Sequence, residues 1–415
     1  MAIVRPFKAV RPIKKLAKRV AALPYDVMSS DEARQMVKDN PYSFLHIDKA
    51  EIDLPEDIDL YDLSVYKKAS SNLQAMISKG IFFQEEKPKI YIYTIIMKGR
   101  AQTGIVACTS IDEYLNNTIK KHEYTRPDKE VDRMNHVNYC DANTGPIFLT
   151  YKNKSEIDVI VSEIIKNTPE YDFIAEDGVA HKVWTVEEDK AIKKICELFQ
   201  GVESLYIADG HHRCASAASV GQLRRLENPE YTGEEEFNFF LSVIFPEKDL
   251  YIMDYNRIVK DLNGLSNQEF LQKVSDNFKV KEYTEKGPYK PSSKGTYGMY
   301  LNGKWYQLEI KDGIGNLDHP VENLDVSILQ KNFLQPILGI EDPRTDARID
   351  FIGGIRGLEA LREQVDGGKM KVAFSMYPTT IKELMNIADA GEVMPPKSTW
   401  FEPKPRSGLF IHKLK

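Results

Sequence analysis

A chain of 415 residues is longer than one ordinary domain requires and points to two or three domains. Hydrophobic residues make up 42% and charged residues 28%, the balance of a soluble globular protein with sizeable cores. Its 62 acidic and 56 basic side chains leave a net charge of −6, a poor match to a duplex DNA binder, whose affinity rests on Lys and Arg neutralising phosphates.

The longest apolar run, Tyr91 to Met97, is far too short to span a bilayer. Cys108, Cys140, Cys196 and Cys214 form no C-x-x-C pair, so neither zinc nor a redox couple is indicated, and reduced thiols in the cytoplasm are expected. Arg5 to Arg19 is basic, but no apolar stretch of the kind a secretory signal needs follows it. Composition leaves a basic transit sequence open, yet Ala21 to Val27 runs straight on into domain-like sequence.

In chain order, Ser29, Ser30 and Asp31 are N-cap types ahead of a short helix to Val37. Ser64 to Ser78 has apolar residues at helical spacing and stops near Gly80. Lys89 to Met97 alternates and is rich in Ile and Tyr, predicting a strand that turns at Lys98-Gly99-Arg100 into a second strand, Gly104 to Cys108. Helix is expected at Ile111–Ile119, Glu156–Lys166, Lys190–Phe199 and Cys214–Leu226. Strands are expected at Ile147–Tyr151, Val202–Ala208 and Phe239–Phe245, the last a continuous apolar run suited to a buried position.

After Lys260 the chain reads as a separate unit. Asn302-Gly303 between Thr296–Leu301 and Lys304–Ile310 is the strongest hairpin signal. Helices at Val326–Leu338 and Ile381–Ala390 bracket a strand at Lys371–Met376. The expected division is an N-terminal α+β region over 1–105, a core over 106–262 and a C-terminal α+β domain over 263–415.

The sharpest chemical feature is Asp209-Gly210-His211-His212-Arg213, placed where a strand ends and a helix rich in small residues begins. A glycine at such a turn lets backbone N–H groups approach an anion, and the helix N-terminus adds the positive end of its dipole. His211, His212 and Arg213 add side-chain donors. Asp209 would repel a phosphate, so its place there points to binding Mg²⁺ or orienting a hydroxyl. The same residues also admit an N-cap Asp with surface histidines, or a metal site completed by distant ligands.

Two further segments carry chemistry. Lys120-Lys121-His122-Glu123 leads into Thr125, Arg126, Lys129 and Arg133, and a glutamate among cations is held ionised and ready to accept a proton. Read without context, such a charge run is usually a solvated face. Near the C-terminus, Gly391 to Trp400 ends a helix at a glycine and presents Lys397, Ser398 and Thr399 from a proline-stiffened loop, a set suited to phosphate or carboxylate. The Pro24-Tyr25-Asp26 turn is a candidate to reach the same cleft, or a buried structural turn.

Together these blocks carry a resemblance. Ala208 to Ala217, ADGHHRCASA, resembles the phosphate-binding turn of the ParB/sulfiredoxin-like superfamily, and DGHHR looks most like the free serine kinases of archaea, which transfer phosphate from ADP to serine. Those kinases carry a KPHE segment before the turn, where this chain has Lys120–Glu123, and a GEVFSPKTT-like loop near the end, where it has Gly391–Thr399. The whole chain also resembles a bacterial family of unknown function whose members open with RPFKA and PYDV segments and often accompany genes of the phosphoglycerate-to-serine pathway.

The resemblance implies an α/β (α+β) fold with a ParB/sulfiredoxin-like nucleotide-binding core. It implies Glu123 as general base, Asp209 as positioner of the hydroxyl or Mg²⁺, and Gly210, His211, His212 and Arg213 as holders of nucleotide phosphates. Lys397, Ser398 and Thr399 would face the phosphate or carboxylate of the amino acid. Such a set suffices for phosphoryl transfer, which asks mainly for positioning and electrostatics. The chain departs from the pattern at Lys121, where the kinases have proline, and at Trp400, where they have arginine. His211 stands where sulfiredoxin has its reactive cysteine, which argues against sulfinic-acid repair.

The implied activity is interconversion of serine and O-phosphoserine in serine biosynthesis, with Mg²⁺ and with ADP or ATP as donor, or AMP or ADP as acceptor in reverse. No nucleic-acid or membrane partner is expected. Two other readings stand beside it: a ParB-like nucleotide-binding switch without turnover, and a metal-dependent phosphohydrolase using His211, His212 and Asp209.

Overall fold

The computed structural model describes residues 1–315 and 318–415. The chain forms two compact units, Met1–Leu250 with Pro403–Lys415, and Tyr251–Glu402. Both are α+β.

The first unit is built on a nine-stranded mixed sheet. Its main path runs Ile119–Lys120, Leu205–Asp209, Ile147–Tyr151, Phe239–Pro246, Arg100–Ser110, Ile90–Met97, Ala180–Val186 and Tyr171–Ile174, with Val4–Arg5 paired beside Arg100–Ser110. Phe239–Pro246 runs parallel to Ile147–Tyr151, and Leu205–Asp209 parallel to Ile119–Lys120; the other pairings are antiparallel. All eight residues of Phe239–Pro246 are buried, as a strand with neighbours on both edges and packing on both faces requires.

One core lies where Ile92, Ile105, Leu149, Leu205 and Ile207 of the sheet meet Ile195 and Phe199 of the helix Asp189–Gln200 and Ala217 of the helix His211–Glu227. The small residues of the latter helix have a steric reason: a Cβ on Gly221 would stand 2.5 Å from Ile111 Cδ1 and 2.6 Å from the Phe237 carbonyl. A second core gathers Phe44, Leu45, Val65, Leu73 and Phe82 with Ile411.

The chain end is woven into this unit. Ile411 bridges Val10, Ser407 bridges Ala22, and His412–Lys413 pairs with Ala142–Asn143. Arg406 donates from Nε to His181 Nε2 (3.2 Å) and pairs with Asp177.

The second unit carries a six-stranded sheet, all antiparallel, in the order Phe278–Tyr283, Lys304–Ile310, Thr296–Leu301, Val372–Ser375, Tyr255–Val259, Ile349–Gly353. Asn302 and Gly303 join the central hairpin with φ of 50° and 80°, the type I′ geometry that their sequence demands.

Several expectations shift. The boundary placed near residue 105 falls inside the strand Arg100–Ser110, so Ile90–Met97 and residues 106–250 share one sheet. The later boundary falls at Tyr251, and the second unit closes at Glu402. The helix expected to reach Ile119 ends at Leu115, because Asn117 takes a left-handed φ of 63° and Ile119–Lys120 joins the sheet. In the polar segment a helix begins at Pro127, with Arg126 as its N-cap.

All four cysteines are free. Among the described residues no helix is long and apolar enough to cross a membrane. Ile207 is fully buried between two neighbouring strands. Ile207→Ala is expected to lower unfolding free energy by about 2–5 kcal/mol, read as a lower midpoint in chemical denaturation.

Candidate functional site

The strand Leu205–Asp209 ends at Gly210, whose φ of 97° turns the chain directly into the helix His211–Glu227. Two constraints select glycine here. The φ is left-handed, and an added Cβ would stand 3.0 Å from Arg213 Nε and 3.2 Å from Arg213 Cζ, because the guanidinium folds back over the turn. No side chain caps this helix. Its first N–H groups therefore have no intrahelical acceptor and none from a cap, which is the arrangement that binds oxyanions.

Asp209 lies at the centre of a cation clamp. Its Oδ1 accepts from Lys404 Nζ (2.8 Å) and its Oδ2 from Arg213 Nη2 (2.7 Å), while Arg213 Nη1 donates to the Pro146 carbonyl (2.6 Å). Burial works against the Asp209 carboxylate, but Lys404 and Arg213 overcome it and hold the group well below the usual carboxylate range. Asp209 is thus ionised, with both oxygens engaged.

Beside it stands a pair of buried histidines. The rings of His122 and His211 meet edge to face at 4.4 Å, with 2% and 5% of each residue exposed. Burial is the main cause that pushes His211 down to about 4, with His212 and Lys121 adding and Asp209 opposing. Burial and then His211 push His122 well below its ordinary value. Both rings are neutral at pH 7. His122 Nδ1 and Nε2, His211 Nε2 and Arg213 Nε are buried without a hydrogen-bond partner, a concentration of unsatisfied polar atoms that a ligand would relieve.

Glu123, half-exposed, places Oε2 3.8 Å from His211 Nδ1. His212 accepts at Nε2 from the Arg126 N–H (3.0 Å), tying the turn to the start of the helix Pro127–Cys140. That helix carries Lys129, which donates to Tyr61 OH (2.8 Å), and Arg133, which pairs with Asp132 (2.9 Å) and lies over the Tyr25 ring at 4.2 Å. Arg126 pairs with Asp128 at the surface. The Pro24-Tyr25-Asp26 turn therefore does reach this region. Tyr25, Asp48, Arg133, His136, Thr144 and Arg213 line a small cavity of about 30 Å³.

Glu123, Asp209, Gly210, His211, His212 and Arg213 thus come together in the first unit. Lys397, Ser398 and Thr399 belong to the second. There Ser398 is buried, its Oγ donating to the Pro395 carbonyl (2.6 Å) and its carbonyl accepting from Thr379 Oγ1 (2.9 Å), while exposed Lys397 takes a φ of 58° and sets Nζ 5.6 Å above the Tyr255 ring.

Sequence reasoning missed Lys404. The signal was Pro403-Lys404-Pro405-Arg406, two cations alternating with two prolines, in a segment that is buried almost throughout. Among the described residues no group of three His, Cys, Asp or Glu side chains is placed to hold a metal ion.

The turn thus sets a helix N-terminus without a side-chain cap beside neutral histidines whose buried ring nitrogens have no partner among the described residues. The chain belongs to the family described as protein of unknown function (DUF1015), which matches residues 4–327. That membership agrees with the resemblance carried by RPFKA and PYDV.

Three solved structures are similar to it. Free serine kinase in complex with AMP is 15% identical with a TM-score of 0.36, over 71% of this chain and 86% of that one. A conserved hypothetical protein from Pyrococcus furiosus is 16% identical with a TM-score of 0.35, over 74% and 94%. C-terminally truncated SbnI from Staphylococcus aureus is 12% identical with a TM-score of 0.37, over 73% and 85%. No curated protein matches the sequence.

The neutral histidines have a pH consequence. His211 binds its proton near pH 6.5 when unfolded and only near 4 when folded, so between those values the unfolded state holds more protons. Stability is therefore complete above about pH 6.5 and falls as pH drops towards 4, by roughly 3 kcal/mol from this residue. Denaturation midpoints between pH 7 and 4 should show a shallower decline for His211→Gln than for the natural chain.

Proposed function

We propose that the protein is a small-molecule phosphotransferase that interconverts serine and O-phosphoserine with a nucleotide as donor or acceptor. The observation that carries this reading is the uncapped N-terminus at Gly210, flanked by buried polar atoms without partners and with Glu123 3.8 Å from His211. An oxyanion site and a carboxylate base side by side are what transfer between a phosphate and a hydroxyl requires. Serine as the hydroxyl compound is supported by the order of KKHE, DGHHR and the Gly391–Thr399 loop along the chain.

When bound, the nucleotide supplies or accepts the phosphoryl group. The backbone N–H groups of His211, His212 and Arg213 hold phosphate oxygens, as the helix dipole favours. Neutral His211 and His122 each offer one N–H without adding a fixed charge, and their burial keeps water from the reacting groups. Glu123 accepts the proton of the attacking hydroxyl. Asp209 acts as a positioning residue: its charge is answered by Lys404 and Arg213, and it fixes both cations beside the turn. Lys397 and Thr399 bind the oxyanion of a small substrate from a loop of the second unit, and Ser398, whose hydroxyl donates to the Pro395 carbonyl, holds that loop in shape. Magnesium, if used, enters with the nucleotide phosphates, since Mg²⁺ readily takes most of its ligands from phosphates and water.

The test is a phosphorus NMR time course with O-phosphoserine, Mg²⁺ and either AMP or ADP. The expected result is growth of the next higher nucleotide. Glu123→Gln should slow it by about 10²–10⁴-fold while nucleotide binding persists. Release of inorganic phosphate without new nucleotide would support a phosphohydrolase instead. Intact binding without turnover in the natural chain would support a nucleotide-binding switch.

A further inference from the structure

The second unit contains a buried cation without an anion. Arg257 sits on the strand Tyr255–Val259, paired on one side with Phe351 and on the other with Phe374, and is 4% exposed. Its one hydrogen bond runs from Nη1 to the Tyr255 carbonyl, and its guanidinium lies 5.4 Å from the Phe351 ring centroid. No carboxylate pairs with it among the described residues. Asp254, close in sequence, accepts instead from Asn256 Nδ2 (2.6 Å).

Arg11 and Arg406, the other buried arginines, behave differently: Arg11 holds Glu85 (2.5 Å) and Arg406 holds Asp177. Arg257 cannot escape the cost of burial by releasing its proton near neutral pH, because arginine stays charged in proteins. A buried, unpaired charge is among the most expensive features a fold can carry, and its usual resolution is a counter-ion.

A second cation converges on the same aromatic cluster. Tyr255 packs against Phe351 at 6.0 Å and against Trp400 at 5.2 Å, and Lys397 holds Nζ above the Tyr255 ring. Trp400 reaches this place because Gly353 has no side chain: a Cβ there would stand 2.8 Å from the indole. Strand pairing of Met253 with Trp400 and of Ile252 with Phe401 fixes the end of the loop beside the start of the Arg257 strand.

We propose that Arg257 and Lys397 form an oxyanion-binding site of the second unit, which takes the carboxylate or phosphate of a small metabolite. Arg257 supplies a planar, buried donor fork, and Lys397 supplies an exposed charge on the solvent side. The inference rests on the reading of the Gly391–Thr399 loop as an oxyanion binder, and not on proton transfer at Glu123.

Hydrogen-exchange mass spectrometry of the full chain, with inorganic phosphate, serine and O-phosphoserine as probes, tests it. The expected result is slower exchange in peptides covering 251–260 and 394–402. Protection by serine as well as O-phosphoserine assigns the carboxylate, and protection by phosphate and O-phosphoserine alone assigns the phosphoryl group. Arg257→Met should abolish the effect, and surface Lys397→Ala should raise the probe concentration needed by roughly tenfold. Without added anion, Arg257→Met should melt no lower than the natural chain, because it removes an unpaired buried charge. Protection confined to residues 209–213 would overturn the inference and leave the proposed function standing. Protection at neither place would overturn both. Undiminished protection of the second unit in both variants would remove Arg257 and Lys397 from the site.

Discussion

The first unit's site depends on how Asp209 is neutralised. A carboxylate carried into a protein costs several kcal/mol unless cations meet it with good geometry. Here Arg213 answers from the first turn of the helix that follows, and Lys404 answers from a segment 195 residues further along the chain. One local partner and one distant partner make the turn a junction between the sheet and the chain end. The guanidinium that binds Asp209 also covers Gly210, so the electrostatic clamp and the left-handed backbone select each other.

The histidines gain their character from the same packing. In water an imidazole titrates near neutrality, but His122 and His211 are enclosed with each other and with the clamp, and burial favours the uncharged form. Positive charge beside the turn is therefore carried by Lys404 and Arg213, which are fixed by ion pairs, and the histidine rings contribute polarity without charge.

Elements with a strong local code were legible in the sequence. Asn302-Gly303 set its hairpin, Ser29 and Glu32 formed a reciprocal cap, and the buried run Phe239–Pro246 became an inner strand. The turn at Asp209–Arg213 was legible because several rare residue types stand together. Other features were settled by partners far away in sequence. Ile119–Lys120 is a strand because Leu205–Asp209 offers it an edge, and Lys404 matters because the chain end returns to pair with Ala142–Asn143. Arg257 gave no sequence signal, since its distinction is the missing carboxylate, and only three-dimensional packing reveals that.

The return of Pro403–Lys415 to the first unit also sets an order of events during synthesis. Lys404, Arg406 and the strand partner of Ala142–Asn143 do not exist until the whole of Tyr251–Glu402 has been translated. At ordinary elongation rates that interval is on the order of ten seconds. Through it the Asp209 carboxylate has only Arg213 for company, and the nascent first unit is open at the seam that its last residues will close. The second unit, contiguous in sequence, has all its parts before then. The later-encoded body is thus free to fold first, and Asp209 gains its second cation only once Pro403–Lys415 has reached the first unit.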